Sequence, residues 1–483
     1  MESSYWHNVW GQFKKRPLGI FGLFIVSLFL IVGVYAPFFA SSKPIFVKFE
    51  GEWYFPLFRY LFYQGFYSKS IDLFFNVFIF IFPLLILSCI FFKGNIRNYL
   101  VFFLLALQIL IMIGLILFPI KNPAVNRSSL NDDWNWQQEV NLLNPYERLN
   151  LVLSYLNKKK QHIAIEGYLQ KKNIPIHKSL PTLWQFEQNH YEDNIHRIDS
   201  LLNKQTEQPD LSKKKNYLVD KKNWLEQQAN NISIILWPLF RAFHWEEDAG
   251  GSQELNQMLP WWEKTRVNRK DLISALIFGI RISLVVGALS VFLSLVIGIP
   301  IGAMAGFYGG KTDIIVSRLM EIWEAMPVFF MLLMVVAITQ SKSIFLIILV
   351  IGIFGWTSIS RYIRGEFFKQ RSLSYVEAGK AMGFHDRYLI FSDILPNAIP
   401  PVLTILPFAI MGAITSEAGL SFLGLGEESS ASWGVLMDEA RGVFPGESYL
   451  LWPPAILLTV LLVAIALMGD AMRDAIDPKL HRQ

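Results

Sequence analysis

Long apolar runs alternate with short charged breaks along most of this chain. A helix crossing bilayer hydrocarbon needs about 20 apolar residues. The first such run, Leu18 to Ala40, follows Lys14, Lys15 and Arg16. It is longer than the apolar part of a secretion signal, and Phe38-Phe39-Ala40 offers no small-x-small cleavage site, so it predicts an uncleaved anchor. Two further runs, Ile71–Phe92 and Tyr99–Phe118, flank "KGNIR", whose Lys93 and Arg97 predict a hairpin with a basic turn. Beyond residue 271 the pattern predicts spans at 272–305, 314–339, 343–363, 397–416 and 450–469, eight in all. Basic residues collect on the cytoplasmic side of membrane proteins. The basic triplet, the hairpin turn, "YGGKTD" (308–313) and the tail "MRDAIDPKLHRQ" are therefore expected there, with both termini.

Residues 119–270 break this pattern. They hold 21 Lys/Arg and 18 Asp/Glu, close to half the charge of the chain, and no apolar run long enough to span. By parity the segment is expected to be extracytoplasmic, since large domains translocate largely regardless of charge. Near-balanced charge argues against an electrostatic tail, and its many Trp, Tyr, Leu and Ile side chains argue against disorder. Thr182–Glu207 carries Leu183, Phe186, His190, Ile195, Ile198, Leu201 and Leu202 near helical spacing. Leu211–Asn231 repeats a looser stripe through Tyr217, Leu218 and Leu225, and "EQPD" between them signals a turn. A helical hairpin is predicted, in a domain placed to receive a soluble partner or to cap a cavity; the alternative is a folded decoration that only stabilises the complex.

Composition narrows the class. At 53% hydrophobic residues and a mean hydropathy of +0.34, the chain is too apolar for an ordinary soluble protein. The net charge of +5 is explained by basic loops beside spans, so no nucleic-acid partner is expected. The single cysteine, Cys89, lies in an apolar run, and the eight histidines lack ligand spacing, so no disulfide or metal centre is expected. "AGFYGGKT" (305–312) fits a relaxed phosphate-loop pattern. A genuine phosphate loop follows a strand in an α/β domain, whereas this one follows a membrane run. Lys311 is read as an inside anchor. The tryptophans of "DDWNW" and "LPWWEK" read as interfacial or packing residues. Two charges at membrane depth stand out. Burying Glu417 costs roughly 2.5–3.5 kcal/mol on insertion scales, so it either faces a cavity or partner or sits solvated at the outer interface. Arg281 either lines a polar path or snorkels to the surface.

The most punctuated stretch between apolar runs is "SYVEAGKAMGFHDRYLIFSDILPN", 374–397. Ser374-x-x-Glu377 has the form of a capping box, predicting a helix over Tyr375–Met382 stopped by Gly383 in the left-handed conformation. Asp386 is expected to cap a second short helix ending near Pro396. Ala378, Gly379 and Ala381 keep one surface small enough for close approach by another protein.

This stretch resembles the EAA loop of ABC-importer permeases. Glu377, Ala378, Gly383, Leu395 and Pro396 stand in register with that pattern. Gly379 replaces its third small residue, and Asp393 stands where it has isoleucine. "LIFGIRISLVVGALSVFLSLVIGIPIGAMAGFYGG" (276–310), "SEAGLSFLGLG" (416–426), "SWGVLMDEAR" (432–441), "GDAMRDAIDPKL" (469–480) and "FKKRPLGIFGL" are similar to the DppC/OppC branch of peptide and nickel permeases. "SKPIFVKFEGEWYFPLF" (42–58) is similar to YejE-type members. The resemblance implies an all-α polytopic membrane protein with a six-span type I permease core. Segment 1–60 would hold the cytoplasmic N-terminus and first span, 61–118 an extra transmembrane hairpin, 119–270 a helical extracytoplasmic insertion, and 271–483 the core, with a cytoplasmic coupling loop at 365–396. It implies a subunit of a bacterial inner-membrane importer of peptides or peptide-like solutes, coupled through Ser374, Glu377, Ala378, Gly379, Gly383, Leu395 and Pro396. Its partners would be a homologous second permease, two ATPases carrying ATP and Mg, an extracytoplasmic solute-binding protein and lipid. The chain itself would have no catalytic residues and no cofactor. The alternatives are an importer of nickel or another small solute, and a membrane receptor or scaffold with a vestigial coupling loop.

Overall fold

The computed structural model describes residues 2–64, 69–121, 135–171, 209–247, 256 and 259–476. In chain order its principal helices are α1 (Glu2–Lys14), α2 (Pro17–Val34), α3 (Ala36–Phe39), α4 (Pro56–Tyr60), α5 (Ser70–Phe91), α6 (Gly94–Leu117), α7 (Trp136–Leu142), α8 (Pro145–Lys171), α9 (Pro209–Asn230), α10 (Leu272–Tyr308), α11 (Gly310–Glu324), α12 (Val328–Thr339), α13 (Ile344–Gln370), α14 (Ser374–Ala381), α15 (Leu395–Leu403), α16 (Leu406–Leu420), α17 (Trp433–Gly442) and α18 (Trp452–Ile476). Strands β1 (Phe46–Phe49), β2 (Glu52–Tyr54) and β3 (Ile232–Leu236) form one antiparallel sheet in the order β2-β1-β3. The chain divides into two compact units, Met1–Ile31 with Gly279–Gln483, and Val32–Phe278.

Among the described residues, seven helices are long and apolar enough to cross a membrane, including α2, α5, α6, α10 and α13. The predicted span at 314–339 is broken. It is the pair α11 and α12, bent by 72°. Pro327 precedes α12 with φ −67° and ψ 121°, and a proline disfavours helix in the residue before it and removes a donor. The predicted span at 397–416 is likewise divided into α15 and α16, with Thr404 and Ile405 turning between them ahead of Pro407.

The unit of Val32–Phe278 holds the α5–α6 hairpin and the charged segment. Gln108 Nε2 donates to the Phe74 carbonyl at 2.8 Å, and Val77, Ile81 and Leu104 bury the hairpin's interior. The second predicted arm is present as α9. It packs on α7 and α8, with Trp136 edge-on to Tyr217 and to Trp224, and the Tyr217 hydroxyl donates to Glu139 at 2.7 Å. The first arm, Thr182–Glu207, lies outside the described residues. The three-stranded sheet was not predicted. Its strands are three to five residues long, and β1 and β3 are far apart in sequence, so no local alternation betrays the pairing. β1 buries Val47 and Phe49 on one face, where they share a core with Tyr54, Leu149 and Leu153.

The other unit is organised by α10. Ser290, Ser294, Gly298, Gly302 and Gly306 recur every four residues and so share one helix face. Ser290 Oγ donates to the Ile348 carbonyl at 3.2 Å and Ser294 Oγ to Gly352 at 2.8 Å. A Cβ on Gly298 would lie 2.7 Å from the Trp356 carbonyl oxygen; Gly302 and Gly306 face Ser360, Arg364 and Phe367 as closely. Small residues bring helix backbones together where no hydrophobic force separates protein from lipid. α10 and α13 are thereby zipped along their lengths.

Candidate functional site

The EAA-like stretch sits on the ends of α10 and α13. Val376 of α14, with Leu389, Ile390 and Ile394 after it, is buried with Ala303 and Phe307 of α10 and Ile359, Ile363 and Phe367 of α13. Polar contacts fix the same junction. Arg371 Nη1 donates to the carbonyls of Gly306 and Phe307 at 3.2 and 3.3 Å, satisfying the exposed end of α10. Lys380 lies over the Phe307 ring at 5.3 Å. Arg364 pairs with Asp313 of α11, and Arg361 with Glu324 at 2.7 Å. The turn from α10 to α11 passes through Gly309 at φ +64°, where a side chain would also strike the Arg371 guanidinium.

The local geometry keeps part of the expectation. Gly383 adopts φ +80°, its N–H reaches the Lys380 carbonyl and the Phe384 N–H reaches Gly379, each at 3.0 Å. These two bonds close a Schellman stop. The capping box is not formed. α14 begins at Ser374 itself, with Leu373 in the cap position and no side chain capping the helix. Only three residues separate α13 from α14, and the amides of Val376 and Glu377 already bond the Leu373 carbonyl. Asp386 does not cap either. His385 holds that position, and the helical turn Asp386–Tyr388 runs into a π-helical segment, Leu389–Ile394, and then into α15. The chain therefore continues as helix through Pro396 rather than ending there. Pro396 occupies the first turn of α15, where a missing N–H is tolerated, and the wider π turn precedes it.

The small residues of α14 divide between two faces. Gly379 is buried, and a Cβ there would come 2.7 Å from Leu389 Cδ2, so this glycine serves the seat of the helix. Glu377, Ala378 and Ala381 are exposed. Beside them lie Tyr375, Met382, Phe384, Tyr388 and Phe391, all exposed apolar or aromatic side chains. Partial burial pushes the Tyr375 phenol above its ordinary value, and its hydroxyl donates to Gln370 at 2.7 Å.

A cavity of about 520 Å³ lies between α10, α13 and α16. Its polar lining is Ser290, Ser294, Ser358, Ser416 and Tyr362, and the rest is apolar or glycine. Neither Glu417 nor Arg281 lines it. Glu417 is 1% exposed, and its Oε1 accepts from Ser421 at 2.7 Å and Ser432 at 2.6 Å. It is neither solvated nor facing this cavity; it ties the chain following α16 back onto the helix. Arg281 is fully buried, so it does not snorkel. "AGFYGGKT" runs from the last turns of α10 through Gly309 into α11, with no strand before it. Sequence reasoning missed the α10 seam, although its four-residue spacing of small residues was visible, and Arg371, which carries no signal of its own.

Residues 298–482 match the family described as the binding-protein-dependent transport system inner membrane component, and residues 4–54 match the N-terminal TM domain of oligopeptide transport permease C. The inner membrane ABC transporter permease protein YejE of Escherichia coli is 31% identical over 266 residues, covering 53% of this chain and 75% of that protein. The oligopeptide transport system permease protein OppC of Haemophilus influenzae is 36% identical over 251 residues, covering 51% of this chain and 80% of that protein. The chain belongs to the DppC/OppC family of ABC-transporter permeases. The dipeptide transport system permease protein DppC of Bacillus subtilis, 30% identical over 232 residues, covers 48% of this chain and 72% of its own length. The permease is thus a multi-pass inner-membrane transport subunit, and its EAA-like stretch lies inside the matched region 298–482.

Proposed function

We propose that this permease forms one membrane-spanning half of an importer for peptides or peptide-like solutes, with α14 receiving the force of ATP hydrolysis from a partner. The observation that carries this reading is the two-faced seat of α14. Val376 buries one face against the ends of α10 and α13 and Gly379 packs beside it on Leu389, while Glu377, Ala378, Tyr375 and Met382 leave the other uncovered. A push on the outer face passes into the shared core and so into two helices already zipped together. Both helices line the cavity, so their tilt changes its opening.

The rest of the assembly follows from the family. Two ATPases would bind ATP and Mg, a homologous permease would supply the other half, and an extracytoplasmic binding protein would deliver solute. Both termini and α14 then lie in the cytoplasm, with residues 119–270 outside. Relatives named for oligopeptides and dipeptides support a peptide cargo.

The test is reconstitution of the complex in nanodiscs with binding protein and a peptide. Glu377→Lys places a cation in the first turn of α14, where the helix dipole disfavours it. Gly383→Leu forces a branched side chain to φ +80°. Both variants are expected to reach the membrane and lose peptide uptake together with binding-protein-stimulated hydrolysis. Normal stimulated hydrolysis in both would overturn the coupling role.

A further inference from the structure

The loop that follows β3, "WPLFR" (237–241), turns two apolar side chains outward. Leu239 is 70% exposed and Phe240 61%. Isolated apolar residues on a surface need no explanation, but this pair is held in place by two independent landmarks of the membrane boundary. The first is the exit of a span. α2 is 18 residues long, about 27 Å at 1.5 Å per residue, which falls just short of the roughly 30 Å hydrocarbon core. Residues 35–39 after it therefore belong to the boundary layer. The loop is bonded to this short segment by its backbone: Leu239 N–H to the Phe38 carbonyl at 3.1 Å, and the N–H groups of Phe240 and Arg241 to Phe39 at 3.0 and 3.2 Å. The rings of Phe39 and Phe240 stack at 5.6 Å.

The second landmark is the entry of another span. Asp271 stands immediately before α10, and its Oδ2 accepts from the Ser274 amide at 2.9 Å and the Ser274 hydroxyl at 2.8 Å. Arg241 Nη2 pairs with Asp271 Oδ1 at 2.7 Å, and its Nη1 pairs with Glu263 at 2.7 Å. Burial alone would lower the Arg241 pKa, but the two carboxylates outweigh it and raise it, so the clamp stays charged. An aromatic row continues from Phe38 to Phe58 at 5.6 Å and from Phe58 to Phe55, whose ring is half exposed.

We propose that Leu239 and Phe240 insert into the headgroup–acyl boundary of the leaflet in which α2 ends and α10 begins, so that lipid is what covers them. Continuity with two span ends selects this occupant. A soluble partner has no reason to find its apolar contact at a depth fixed by two membrane helices, whereas amphipathic and aromatic groups collect at that depth.

The experiment uses the full-length permease in a Cys89→Ser background, in phosphatidylcholine/phosphatidylglycerol nanodiscs. Phe240→Cys and, separately, Leu239→Cys carry an environment-sensitive fluorophore. Asn231→Cys, at the exposed end of α9, is the aqueous control. Both loop probes should be quenched several-fold more than the control by a nitroxide near the top of the lipid chain, and several-fold less by aqueous iodide. Iodide quenching equal to that of Asn231 would overturn the proposal, because the loop would then stand in water. Shielding from both quenchers would also overturn it, because a protein surface would then be the cover.

Discussion

Glu417 shows what a buried charge holds together once its neighbours are known. Its carboxylate accepts two serine hydroxyls, and one of them, Ser432, also accepts from the Gly434 amide at the start of α17. Glu417→Ala leaves both hydroxyls buried with no acceptor in the space vacated, and an unsatisfied buried polar group costs about 1–3 kcal/mol. Glu417→Gln keeps one carbonyl acceptor and should lose less. The expected outcome is a melting temperature lowered by several degrees in the alanine variant and about half as much in the glutamine variant, with peptide preference unchanged in both. Thermal unfolding followed by uptake competition checks it; altered preference would return Glu417 to the solute path. The residue was legible as exceptional, because few carboxylates lie inside an apolar run. Its partners were not, since Ser432 is brought to it by a turn whose geometry has no local code. Gly383 was legible for the opposite reason: its left-handed stop depends only on the helix before it. Ser374 misled because a capping box describes a helix free to choose its first residue, and the three-residue link from α13 fixes that choice at Ser374.

The pairing of α10 with α13 rests on close approach, and this makes its residues unequal. Ser294 contributes one hydroxyl to the Gly352 carbonyl, and interhelical hydrogen bonds in membranes average only about 0.6 kcal/mol. Gly298 contributes absence of volume: a Cβ there meets the Trp356 carbonyl oxygen at 2.7 Å, and backbone does not yield as a side chain tip does. Overpacking a fitted interior costs about 1–3 kcal/mol. Gly298→Val should therefore destabilise the purified permease markedly, while Ser294→Ala should be close to neutral. The two melting curves, measured in the same detergent, decide it; equal effects would mean that the seam is held by hydrogen bonds rather than by proximity. Span existence was legible from hydrophobic runs, since each needs only its own residues. The breaks at Pro327 and Thr404–Ile405 were not, because both proline regions lie within stretches apolar enough to read as continuous. The pairing of α5 with α6 was legible in the short basic turn between them, whereas that of α10 with α13 was visible only in the spacing of the small residues on α10.

The whole chain raises two questions that no single helix answers. The first is sidedness. If α5 and α6 cross and return, a cysteine at Asn95, in a Cys89→Ser background, should be shielded from an impermeant thiol reagent added outside, while one at Asn231 is labelled; outside labelling at position 95 would sink the eight-span arrangement. The second is whether the charged segment is a removable insertion. The core behind β1 contains Val47, Phe49 and Tyr54 from the stretch after the first span, and Leu149 and Leu153 from α8, with Ile232, Ile235 and Trp237 packed against it. Three distant stretches thus close one core, and sequence could not show this because each contributes only a few apolar residues. Replacing Asn141–Gln257 by a Gly/Ser linker would remove most of that core together with β3, leaving β1 with one open edge and its buried face uncovered. Such a deletion should unfold what remains of the sheet, so it would confuse a lost docking surface with a lost fold. Leu153→Ala separates the two. It keeps every surface residue and costs about 2–5 kcal/mol of packing. Amide exchange should accelerate across Phe46–Tyr54, whose strands lean on Leu153, and stay unchanged in α14, which has its own core. Unchanged exchange in Phe46–Tyr54 would mean that the three stretches do not fold as a cooperative whole, and that the segment after the first span stands independently of α8.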